Sequence, residues 1–182
     1  MSKERIEIKK AKELIKMRHY KLLKKEEKDN ILEYLVKDPA TGDKIVIWCM
    51  LSREAVGIRY IEALEKSMNL KDAKRGIVIT QGVSTHAANV GSKKRNIEII
   101  PKAFPSFHLF DHILVPKHEI LKGEERDNLL KEFRVKPYQL PKIKSSDPAA
   151  RAIGARPGDI VKVIRDSPTA GKYVSYRYVV EG

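Results

Sequence analysis

From residue 6 to residue 23 the apolar side chains Ala11, Leu14, Ile15, Leu22 and Leu23 recur among lysines at roughly helical spacing. The pattern predicts a helix over about 8–19 with a basic, solvated side. Two β-rich runs follow, NILEYLVK at 30–37 and KIVIWCM at 44–50, separated by DPATGD. That punctuation predicts a hairpin with Pro39 outside the ladder and Trp48 packed within. Ile61, Leu64 and Met68 then mark a helix over 54–69. Ser52 is a candidate N-cap for it, unless Gly57 delays the start until after Val56. Residues 76–80 (GIVIT) and 97–100 (IEII) are strands, with a short helix near 85–90 between them. Helix, hairpin, helix, strand, helix, strand is the order of a small α/β layer domain.

The segment PKAFPSF at 101–107 interrupts this order, because two prolines in five positions fit neither a helix interior nor a central strand. It divides the chain into domains at 1–108 and 109–182. In the second, Leu129, Leu130 and Phe133 share a helical face. Asp147-Pro148 opens a short helix that Gly154 ends in left-handed geometry. Near the end, DIVKVIR and YVSYRYVV form a hairpin. On its return strand Val174, Tyr176, Tyr178 and Val180 share one face, and Tyr173, Ser175, Arg177 and Val179 the other. Two apolar-lined faces exceed what an exposed hairpin needs, so either the domain covers the second face or another protein does.

Composition narrows the classes. The 182 residues carry 37 Lys and Arg against 24 Asp and Glu, a net charge of +13. Residues 1–36, 37–110 and 111–182 contribute +4, +5 and +4, so the excess belongs to folded sequence rather than to a detachable arm. A polyanionic neighbour follows, nucleic acid first and an acidic protein surface second. The solitary Cys49 excludes an intramolecular disulfide framework and Cys-rich metal sites. No apolar run reaches the ~18–20 residues of a spanning helix. The polar start lacks the core of a secretory signal, so the expectation is a chain that is not exported and meets no membrane.

Candidate chemistry is sparse. His108, Asp111, His112 and His118 are the densest group of metal-ligand types, with His108 and His112 at helical spacing, but Pro116 separates His118 and structural histidines are the better reading. For a metal-dependent nuclease, Asp38, Asp43, Glu54 and Lys44 are available. However, 77–81 reads IVITQ, without the acid and lysine such a strand carries, and Asp38 and Asp43 read as turn formers. Gly82, Val83, Ser84, Thr85 and His86 could turn backbone N–H groups and hydroxyls toward a phosphate, with Lys93, Lys94 and Arg95 adding charge. An ordinary N-cap uses the same residues.

The run HILVPKH at 112–118, QLPKI at 139–143, DPAARAIG at 147–154, GDIVKVIR at 158–165 and SPTAGKYVSYR at 167–177 together resemble one family. They are similar to the H-type small subunit of archaeal RNA polymerase and to the C-terminal domain of the fifth subunit shared by the eukaryotic nuclear polymerases. The upstream half resembles the N-terminal jaw domain of that eukaryotic subunit, through Val56-Gly57-Ile58-Arg59, the 77–82 strand with its Gln-Gly, and Met17-Arg18-His19-Tyr20.

The resemblance implies an α/β, nuclease-like jaw domain without an active site, followed by a small α+β assembly domain with a mixed sheet and short helices. It implies a non-catalytic polymerase subunit, without cofactor or metal and not an obligate homo-oligomer. Such a subunit docks on the largest subunit, beside the small K/omega-like one, and supports downstream duplex DNA. The site would be cytoplasmic in an archaeon and nuclear in a eukaryote. A free-standing basic nucleic-acid-binding protein and a metal-dependent nuclease are the alternatives.

The family likeness places the DNA-backbone contact on 82–86 and on Lys93, Lys94 and Arg95. This chain has Ser84-Thr85-His86-Ala87-Ala88 where the eukaryotic pattern has a proline and a lysine. Docking is expected from His112, Pro116, His118, Gln139, Leu140, Pro141, Ile143, Arg151, Gly154, Arg165, Thr169, Gly171, Tyr173, Tyr176 and Arg177. Phe133, Ala152 and Pro168 depart from the family's usual residues.

Overall fold

A computed structural model describes residues 5–167 and 171–182, and Pro168 and Thr169 lie outside the described residues. The fold divides into two compact units, residues 1–107 and 108–182.

In the first unit, α1 (Ile6–Met17) buries Ala11, Leu14 and Met17, which recur at helical spacing. It ends at Arg18, and His19 turns the chain with a positive φ of 55°. The apolar pattern that continued to Leu23 is therefore not all helix. Lys21–Lys28 is strand β1, exposed along its whole length and paired antiparallel with β2 (Ile31–Lys37). Its fully exposed residues left no buried alternation to read.

β2 pairs antiparallel with β3 (Lys44–Met50) around the expected turn. There the Asp38 carboxylate accepts from the Ala40 N–H at 2.9 Å and Pro39 stays out of the ladder. β4 (Arg75–Ile79) and β5 (Ile97–Ile100) add in parallel, giving a five-stranded sheet in sequential order. The β3-to-β4 crossover is α2 (Ile58–Leu70), and the β4-to-β5 crossover is α3 (His86–Lys94).

Alternation along the strands splits their side chains between two layers. Val46, Trp48, Met50 and Val78 form one core with Ile61, Leu64 and Met68 of α2 and Ala88 of α3. Ile45, Ile47 and Cys49 point to the face where α1 packs on β3 and β4. Ser52 does not cap α2: Gly57 takes that place in extended geometry.

The second unit is a four-stranded mixed sheet in the order β6-β8-β9-β7: Lys117–Leu121, Ile160–Ser167, Gly171–Val180 and Lys142–Lys144. β6 and β9 run antiparallel to β8, and β7 runs parallel to β9. α5 (Pro148–Ile153) contributes Ala150 and Ile153 to a small core with Ile120, Val161, Val163, Val179 and Ile143. The Asp147 carboxylate accepts from the Ala149 and Ala150 N–H groups, and Gly154 ends the helix at φ 77°. On the other face Phe133, at the end of α4 (Gly123–Phe133), meets the Tyr176 ring edge-on at 5.8 Å between centroids.

Candidate docking and nucleic-acid surfaces

The loops that follow β3 and β4 clasp each other at the carboxyl end of the parallel strands. The Val56 N–H donates to the Val83 carbonyl at 2.9 Å, and the Thr85 N–H donates to the Val56 carbonyl at 3.1 Å. Gly82 makes this possible, since a Cβ there would run into the Glu54 carbonyl. The Thr85 hydroxyl accepts from the Ala88 N–H at 3.2 Å, so Thr85 is the N-cap of α3. Val83, Thr85 and His86 are exposed, while Gly82 and Ser84 are half-buried.

Lys93, Lys94 and Arg95 occupy the other end of α3. A helix of nine residues separates the two groups by about 13 Å at 1.5 Å per residue, so the structure does not bring the eight residues together. Arg95 is itself held, its Nε 2.7 Å from Glu65 and its Nη2 3.9 Å from Glu62. Lys93 and Lys94 lie in the last turn of α3, where cations favour the helix dipole, and both are exposed.

The acids considered for a nuclease are no closer together. Asp38 and Asp43 lie in the turn before β3 and Glu54 in the loop after it, a strand length of about 20 Å apart. Asp43 pairs with Lys74 at 3.0 Å and Asp38 with Arg75 at 3.6 Å. Among the described residues no group of three or more His, Cys, Asp or Glu side chains is placed to hold a metal ion. Asp111 lies 3.0 Å from His108 Nδ1 across a 3₁₀ turn, Leu109–Asp111, and His112 leaves that turn in extended geometry. His108 and His112 therefore do not share a helical face.

In the second unit, strand register places His118 level with Val163 and Ser175, Arg165 with Tyr173, and Val161 with Arg177. His118, Arg165, Tyr173, Ser175 and Arg177 thus share the face on which α5 packs. α5 covers only the part nearer Val179: Tyr173 is 62% exposed, and Arg165 is exposed too. His118 Nδ1 donates to the Pro116 carbonyl at 2.7 Å. Burial lowers the His118 pKa, opposed by that hydrogen bond and by Asp147, while Arg177 and Arg165 push it further down. The opposite face of the hairpin carries Val174, 38% exposed, and Tyr176, half-buried against Phe133.

Other expected docking residues serve the fold. Ile143 is in the core and Gly154 is the left-handed cap. The Pro141 carbonyl accepts from the Tyr178 N–H at 2.8 Å. The strand expected over 139–143 begins at Lys142, because Gln139 closes a 3₁₀ turn, Pro137–Gln139, in which its side-chain oxygen accepts from the Lys136 N–H. Leu140 and Arg151 are half-buried, His112 is exposed, and Gly171 opens β9 with φ 68°. Sequence reasoning missed the outward pair Ile113 and Leu114, 96% and 82% exposed. Two apolar residues between His112 and Pro116, outside any periodic run, were the available signal.

Residues 107–179 match the family model described as RNA polymerase Rpb5, C-terminal domain. The DNA-directed RNA polymerase subunit Rpo5 of Thermococcus kodakarensis is 57% identical over 75 residues, 41% of this chain and 92% of that protein. The chain belongs to the Rpb5 family of RNA polymerase subunits.

Rpo5 of Archaeoglobus fulgidus is 60% identical over 74 residues, 41% of this chain and 97% of that protein. The RPABC1 subunit of DNA-directed RNA polymerases I, II and III of Caenorhabditis elegans is 37% identical over 129 residues, 69% of this chain and 61% of that protein. Residues 6–103 match the family model described as Restriction endonuclease, which agrees with the nuclease-like layer fold of the first unit. The Rpb5 family is one of non-catalytic polymerase subunits.

Proposed function

We propose that this subunit docks through its second unit on the largest subunit of RNA polymerase, beside the small K/omega-like subunit, while its first unit supports downstream duplex DNA. The observation that carries the reading is the exposed half of the β8–β9 hairpin, where Tyr173, Val174 and Arg165 stand uncovered at the end of a sheet whose other half is tightly packed. A small domain leaves such aromatic surface open when a larger partner closes over it. The net charge of +13 favours the DNA side of the assignment. In the first unit the exposed Val83, Thr85 and His86 at one end of α3 and the exposed Lys93 and Lys94 at the other are two separate candidates for phosphate contact, Arg95 being already bound to Glu65. The subunit works where its polymerase works.

Co-purification tests this. A tagged chain should bring down the largest polymerase subunit at about one-to-one ratio, in salt that strips non-specifically held DNA. Recovery of the chain alone, bound only to duplex, would end the docking assignment. In the assembled polymerase, replacing Lys93 and Lys94 together should reduce the salt slope of DNA association by ~1–2 if they meet phosphate. An unchanged slope removes them from the contact.

A further inference from the structure

The outer edge of β9 is, among the described residues, paired only at one end. Among the described residues β7 pairs with β9 at Tyr178, Val179 and Val180 and nowhere else. The Tyr178 N–H donates to Pro141 and the Val180 carbonyl accepts from Ser145, so these two residues turn their backbone groups toward β7. Val179 turns the other way, its N–H donating to Asp159 and its carbonyl accepting from Gly158. Strand alternation then fixes the rest: Lys172, Val174 and Tyr176 present their N–H and C=O groups to the same outer edge as Tyr178. Among the described residues no strand pairs with that edge over 171–177.

The edge of the other sheet is protected in a way this one is not. β1 carries Lys21, Lys24, Lys25 and Lys28, with a register shift between Leu22 and Lys24, the devices that keep a sheet edge from pairing. Along the open part of β9 the sequence is GKYVSYR, with β-branched and aromatic residues at its centre.

We propose that an extended segment of the largest polymerase subunit adds as a strand to β9 beside residues 171–177, continuing the row that β7 begins. This rests on the docking reading and states its geometry. The flanking side chains define the segment's chemistry. One face of the hairpin offers Arg177 and Arg165 around Tyr173, and suits acidic residues at alternate positions. The other offers Val174 and the Tyr176–Phe133 pair, and suits apolar residues between them. Main-chain bonds supply attachment, and this alternation supplies choice of partner.

Amide hydrogen exchange on the full chain, free and incorporated into polymerase reconstituted from its other subunits, tests the geometry. Incorporation should slow exchange at Lys172, Val174 and Tyr176 by ~100-fold or more, while Tyr173, Ser175 and Arg177, already bonded to β8, change little. Val174→Pro removes one outward donor and should weaken incorporation at least ~10-fold, provided its thermal transition shows it folded. Should the wild type incorporate with those three amides still exchanging as in the free chain, strand addition is wrong and the side-chain faces alone make the interface. Slowed exchange in the free chain on concentration, with a dimer in sedimentation, would instead assign the edge to a second copy and overturn the proposal. A wild type that fails to incorporate at all defeats the docking reading first.

Discussion

At the scale of single residues, the first unit shows how burial and charge decide what a side chain can do. Arg18 is buried, a situation that disfavours its charge, yet its guanidinium makes two bonds to Glu98 at 2.7 and 2.8 Å and its pKa is raised. Lys10 is buried without so complete a match. Its Nζ donates to the Lys102 carbonyl at 2.6 Å, and burial lowers its pKa against the opposing pull of Glu7. Cys49 shows the consequence most directly. Burial pushes its thiol from 9.0 up to about 12, with Glu7 acting in the same direction. Between those two values the folded chain keeps a proton that the unfolded chain releases, so stability is intact below pH 9.0 and falls as pH rises toward about 12. Denaturation of the wild type and Cys49→Ala across that window should show the wild type losing about 1.4 kcal/mol per pH unit relative to the variant. Parallel curves would mean that the thiol ionises freely in the folded state.

At the scale of elements, local chemistry and close approach have separate effects. α5 is legible because its signals are contiguous: an acid at the N-cap, proline at N1 and glycine in left-handed geometry, all within 147–154. The α3 cap at Thr85 was readable in the same way. β1 was not readable, because it is a strand only through pairing with β2 and its eight residues are all exposed. The loop clasp at Gly82 belongs here too. Gly82→Ala would drive a methyl group into the Glu54 carbonyl and part the Val56–Val83 pairing, costing about 1–3 kcal/mol. Thermal denaturation checks this, with Gly57→Ala as the control because a Cβ there meets nothing within 4 Å. Equal melting temperatures for the two variants would show that the clasp yields at no cost.

For the whole molecule, the two units differ in what their relatives contain. The Thermococcus and Archaeoglobus relatives are matched over 92% and 97% of their length by about 75 residues of this chain, which is the length of the second unit. That unit also has a core of its own around Val161, Val163 and Val179. A fragment of residues 108–182 should therefore unfold in a single cooperative transition. A fragment that melts without cooperativity would show that its core depends on the first unit.

The sequence by itself determined the β2–β3 and β8–β9 hairpins, the capped helix α5, the two faces of β9 and the family, because caps, turns and strand alternation act over a few neighbouring residues. Only the tertiary structure decided that Lys93 and Lys94 stand at the far end of α3 from Thr85, that Ile143 is core, and that β7 stops at Tyr178. These depend on which distant segments pair and how far the pairing runs, and a backbone edge carries no side-chain pattern to announce that it has been left open.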